Sequence, residues 1–143
     1  MSDVSNFMDV QSGDVKEPEV LSPGEYVFLV RGYKPGKYNN DKQTPYVRVT
    51  LKAVEVIASE KEQDLTNIKT VEEDFAMTEA AQPIAKRWLT KTVGVDDEDG
   101  SATFRELFEK ALGSQVRGFT SIALVGKNKD IQVAKVDKFA PAN

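Results

Sequence analysis

The chain has 143 residues and a net charge of −4, with no cysteine and no histidine. That length makes one domain whose core needs no disulfide or metal to hold it, and the missing residue types exclude disulfides, thiolate zinc sites, cysteine nucleophiles and histidine bases. No apolar run approaches the roughly 20 residues that cross a bilayer, and the opening Met-Ser-Asp-Val-Ser-Asn has neither a basic nor an apolar leader region, so the expectation is a soluble protein that stays where it is made.

Residues 1–20 are polar and acidic with little apolar periodicity, which predicts a flexible N-terminal arm ahead of a domain over 21–143. Ser22-Pro23-Gly24 reads as a turn. Glu25 to Tyr33 then alternates, with Tyr26, Phe28 and Val30 on one side and Val27, Leu29 and Arg31 on the other; both sides start apolar, so the inward one stays open. Tyr33 to Gln43 is a turn-rich loop carrying Lys34, Lys37 and Lys42 with Tyr33 and Tyr38 interleaved. The second strand, Tyr46 to Ile57, has two unlike faces. Val47, Val49, Leu51 and Ala53 ask for a core, while Tyr46, Arg48, Thr50 and Lys52 set out a ring, a hydroxyl and two cations in a row. Exposed strands carry such residues for solubility alone, but they are also what stacks bases and neutralises phosphates. Glu60 to Asn67 is a solvated connection, and Ile68 to Met77 a third strand with Val71, Glu73 and Phe75 on one face.

The period then becomes helical. Within Thr78 to Val93, Ala81, Ile84, Ala85 and Trp88 share a face, Pro83 falls in the first turn, and Gly94 supplies a left-handed stop. A second helix starts at the capping box Thr103-Phe-Arg-Glu106, carries the stripe Phe104, Leu107, Phe108, Ala111, Leu112 and ends at Gly113. Trp88 and both phenylalanines read as core. Val116 to Val125 and Ile131 to Phe139 are the last two strands, joined by Gly126-Lys-Asn-Lys-Asp130 with Lys127 and Lys129 at its tip.

Charge is sorted along this order: residues 1–25 sum to −5, 26–54 to +5, 55–110 to −7 and 111–143 to +3. The positive blocks coincide with the most strand-like text, so a surface shared by them is basic on an acidic protein. Three strands, two helices and two strands, with cations in the loops after strands 1 and 4, is the order of a five-stranded OB-type Greek-key barrel, mainly β with a helical insertion between strands 3 and 4.

The chain also resembles a family. Leu21-Ser-Pro-Gly-Glu-Tyr26, Thr44-Pro-Tyr46 leading into Val-Arg-Val-Thr-Leu, and Phe75-Ala-Met-Thr78 ahead of a helix closed by Val93-Gly94-Val95 look like small bacteriophage-encoded OB-fold single-stranded-DNA-binding proteins. The resemblance spans about residues 21–139. It implies sequence-independent binding of single-stranded DNA in phage replication or recombination, inside the bacterial host cytoplasm, with no cofactor or metal and no catalysis. Phage replication or recombination proteins and further copies of the chain are the other partners it suggests. The site it implies is Arg31, Tyr33, Lys34, Lys37, Tyr38, Lys42, Tyr46, Arg48, Lys52, Lys127 and Lys129, cations tracking phosphates and tyrosines stacking bases at roughly 1–3 kcal/mol each. Arg117 and Phe119 are weaker candidates. Many single-strand binders end in an acidic tail, whereas this chain ends Phe139-Ala-Pro-Ala-Asn143 and is acidic at its other end.

Two other readings come from the residues. Asp97, Asp99, Gly100 and Glu106 fall at the third, fifth, sixth and twelfth places of an EF-hand spacing, but Val95 stands where the first ligand belongs. An acidic loop before a helix is favoured by the dipole without metal. The rival function is a non-enzymatic protein-interaction module, a replication accessory or virion component, using the acidic arm and helical lobe; the arm is then also a candidate competitor for the basic groove. Enzymatic activity has little support: there is no phosphate-cradling glycine loop.

Overall fold

The computed structural model describes residues 18–97 and 99–142. Five antiparallel strands form one sheet in the order β3–β2–β1–β4–β5, with β1 Gly24–Lys37, β2 Pro45–Ser59, β3 Val71–Ala76, β4 Gln115–Val125 and β5 Ile131–Pro141. Between β3 and β4 lie α1, Gln82–Arg87, which continues as a wider π-helical segment over Trp88–Val93, and α2, Phe104–Ala111. Most of the expected arm lies outside the described residues; of its last part, Glu19 pairs in parallel with Ile68 just before β3.

β1 is the organising strand. It pairs with β2 along its whole length, and its first six residues, Gly24 to Leu29, also pair with Thr120 to Gln115 of β4. Three register shifts in the β1–β2 ladder, at Glu25/Tyr26, Val27/Phe28 and Val30/Gly32, add local twist and bend. The face left open by the sequence is settled: Tyr26, Phe28 and Val30 point into the core with Val47, Val49, Leu51 and Ala53. Val27, on the opposite side, is buried as well. The fully enclosed Tyr26 keeps its hydroxyl satisfied, donating to the Ser22 carbonyl at 2.8 Å, as a buried phenol requires.

One boundary differs from expectation. The segment Tyr33 to Lys37, read as loop, is the second half of β1, so Tyr33, Lys34 and Lys37 stand on a strand. Pro35 is tolerated because β1 has passed the end of β4 there and has only β2 as a neighbour, leaving one ladder side without need of an N–H.

The helices cap one end of the sheet. Thr103 accepts from the Glu106 N–H at 3.2 Å as the capping box predicts, and Leu107, Phe108 and Ala111 face inward. Trp88 lies 4.8 Å from the Phe75 ring of β3 and 5.6 Å from the Phe139 ring of β5, centroid to centroid, so one indole bridges the two edge strands. The sheet is open between those edges, which line a cleft of about 490 Å³ together with Val20, Leu21, Arg48 and Val125.

Candidate nucleic-acid interface

Strand alternation and register together lay out the surface. On the face of β1–β2–β3 that turns away from Val47, Val49 and Leu51, three rows cross the strands: Gly36, Tyr46 and Ala76; Lys34, Arg48 and Asp74; Gly32, Thr50 and Glu72. The cations and ring read from β2 therefore do share a face, and Lys34 of β1 joins them beside Arg48.

The centre of that face is an ordered cluster. The Tyr38 ring, on the β1–β2 turn, stacks on Tyr46 with centroids 4.4 Å apart and planes 25° from parallel. The Arg48 guanidinium carbon lies 5.1 Å from the Tyr46 ring centre, a cation–π distance. Gly36 makes room for this arrangement: a Cβ there would come within 2.6 Å of the Tyr46 hydroxyl oxygen. Asp74 joins the parts. Arg48 Nε donates to its Oδ1 at 2.8 Å and Nη2 to its Oδ2 at 3.0 Å, while the Tyr38 hydroxyl donates to Oδ2 at 2.9 Å. Glu72 Oε2 lies 3.4 Å from Arg48 Nε.

Electrostatics follow from these bonds. The Arg48 hydrogen bonds hold the Asp74 carboxyl below its ordinary range, with the Tyr38 hydroxyl adding to the effect against the cost of burial. Tyr38 is pushed up to about 12 by burial first, then by its bond to Asp74 and that residue's charge. Arg48 is raised further, chiefly by its hydrogen bonds to Asp74 and against the cost of burial. At neutral pH the cluster thus holds a carboxylate, a guanidinium and a neutral phenol.

No protein-family model matches the chain, and no curated protein matches it. The surface must be read from its own chemistry.

The other candidate residues divide by position. Lys34 and Lys37 are exposed on β1, Lys42 is exposed in the turn, and Lys127 and Lys129 are exposed at the β4–β5 tip. That tip follows Val125, which lines the β3–β5 cleft along with Arg48 and Asp74. Arg31 is exposed at the Val30/Gly32 register shift. Tyr33 does not join the cluster: its ring stacks on Phe108 at 5.7 Å and its hydroxyl donates to Glu109 at 2.8 Å, at the helical side of the sheet. Lys52 is turned to a structural task, donating from Nζ to the carbonyls of Leu65 at 2.7 Å and Ile68 at 3.4 Å. Arg117 pairs with Glu25 and the Pro141 carbonyl, and Phe119 is partly exposed beside it.

Sequence reasoning missed Asp74 and Glu72. The signal was present in the alternation of Val71, Glu73 and Phe75, which sends 72 and 74 to the opposite face, but only the β2–β3 register sets them beside Arg48. In the acidic loop after the π-helical segment, Asp97 and Asp99 bond to groups of the loop itself. Asp97 accepts from the Ala102 N–H at 3.3 Å, Asp99 from the Ser101 N–H and hydroxyl at 3.0 and 2.7 Å, and Val95 is buried in the core. Among the described residues no three acidic side chains converge on a metal position, and no helix is long and apolar enough to cross a membrane.

Proposed function

We propose that this chain binds single-stranded DNA without regard to base sequence, as a non-catalytic component of phage DNA replication or recombination in the host cytoplasm. The observation that carries the reading is the Tyr38–Tyr46 stack set beside Arg48 and Lys34 on the outer face of a sheet. Aromatic rings next to a cation track are what a single strand requires, because every base has a face to stack and every nucleotide a charge to neutralise. The strand order, with both helices between β3 and β4, supports an OB-type barrel in which the two edge strands approach without pairing. On that frame the β1–β2 and β4–β5 tips, with Lys37, Lys42, Lys127 and Lys129, flank the path of the strand.

The test is fluorescence anisotropy with a labelled 20-mer, single- and double-stranded, across a salt series. The comparison variant carries Lys34→Gln, Lys37→Gln and Lys42→Gln, which spare Arg48 because it is tied to Asp74. Binding should favour the single strand. The variant should lose about 2 from the slope of log K against log salt, at ~0.7 for each lost contact. Absence of binding to either form at low salt would leave the protein-interaction reading. One observation favours that alternative: the open β3 and β5 edges facing a cleft with an apolar lining from Val20, Leu21, Val125, Val133 and Ala134, which suits an added strand from a protein partner.

A further inference from the structure

We infer that Asp74 is the positioning residue of the single-strand-binding face, holding the Tyr38 ring and the Arg48 guanidinium in the poses that a base and a phosphate meet. The inference rests on the proposed function and deepens it. A single carboxylate connects three pieces of chain: β3, which carries it; β2, through the two-point contact with Arg48; and the β1–β2 turn, through the Tyr38 hydroxyl.

Each bond has a mechanical consequence. Tyr38 stands just past the end of β1, where its N–H to the Thr44 carbonyl at 2.9 Å closes the turn but leaves the side chain to find its own place. The bond to Asp74 fixes the ring on Tyr46 and removes rotamer freedom that a base would otherwise have to take away on binding. The fork contact occupies Arg48 Nε and Nη2 and fixes the guanidinium plane on the strand whose neighbour in register carries Lys34. Two-point carboxylate contacts orient a guanidinium far better than a single bond does.

Simple charge counting predicts the opposite behaviour. Asp74 brings a negative charge onto a face that meets phosphates, so its neutralisation should tighten binding if charge is all it contributes. Glu72 is the natural control: it shares the face, lies 3.4 Å from Arg48 Nε, and makes no bond to Tyr38.

The experiment uses the full chain and the labelled single-stranded 20-mer at one moderate salt concentration, with Asp74→Asn, Tyr38→Phe and Glu72→Gln, each verified as folded by its urea midpoint. Asp74→Asn should weaken binding about tenfold, within the range that loss of one stacking ring produces. Tyr38→Phe, which keeps the ring and loses its tether, should weaken it in the same direction. Glu72→Gln should tighten it about twofold. A readout without DNA accompanies these: ultraviolet titration of the phenols, in which the tyrosine near 12 should move down in Asp74→Asn, while burial, the larger cause, still holds it above the ordinary value. Asp74→Asn binding as tightly as wild type, or gaining in step with Glu72→Gln, overturns the positioning role and leaves the binding face standing. An unmoved phenol titration overturns it equally. Failure of the wild-type chain to bind the strand overturns the proposed function, and this inference with it.

Discussion

Glu73 offers a test of the fold that owes nothing to any ligand. It sits on the core-facing side of β3 between Val71 and Phe75, opposite Val49, a carboxyl pointing inward from an edge strand. Such placements discourage edge-to-edge association, at a cost in desolvation. Burial first, and the neighbouring Asp74 charge second, push Glu73 from 4.5 up to about 7. Between those values the folded protein holds this proton more tightly than the unfolded chain does, so the residue's contribution to stability falls as pH rises through that window. The full gap corresponds to about 3.4 kcal/mol at ~1.36 kcal/mol per pH unit; because water still reaches part of the carboxyl, about 1–2 kcal/mol is the working figure. Glu73→Gln keeps the shape and removes the titration. Urea unfolding followed by tryptophan fluorescence at pH 5, 6, 7 and 8 should show the variant about 1–2 kcal/mol more stable than wild type at pH 8, with most of that gain gone at pH 5. A gain of the same size at every pH, or a variant less stable at pH 8, would rule out a desolvated, titrating carboxyl at Glu73.

Two further predictions concern packing and use the same urea assay. Trp88 Nε1 is buried without a hydrogen-bond partner among the described residues, so Trp88→Phe sheds an unmet donor along with some ring area and should cost about 1 kcal/mol or less. Trp88→Ala should cost ~3–5 kcal/mol; a Phe variant losing more than half as much as the Ala variant would contradict the account. At Gly118 a Cβ would stand 2.9 Å from Phe28 Cε2 and 3.0 Å from Val136 Cγ1, so Gly118→Ala should cost about 1–3 kcal/mol through overpacking. At Gly32 a Cβ meets nothing within 4 Å, and Gly32→Ala should be neutral or slightly stabilising; equal losses at the two sites would refute the packing argument.

Taken residue by residue, the features legible in the chain were those that depend on neighbours within a few positions. The period-2 alternation of β2 separated Val47, Val49 and Leu51 from Tyr46 and Arg48, because a pleated strand sends successive side chains to opposite sides. The capping box at Thr103, the left-handed stop at Gly94 and the inward placement of Leu107, Phe108 and Ala111 were legible for the same local reason, while Leu112, read with that stripe, lies just past the helix and is exposed. Features that depend on register and on segments distant in the chain came only with the fold. Asp74 meets Arg48 across 26 positions and Tyr33 meets Glu109 across 76. Strand pairing and helix docking bring those residues together, and no local pattern encodes either. The same pairing carried β1 through Pro35, turned Tyr33 away from the other tyrosines and left the β3 and β5 edges facing one cleft. Local alternation thus supplied the cations and rings of the face, while the β2–β3 register added the carboxylates that order them.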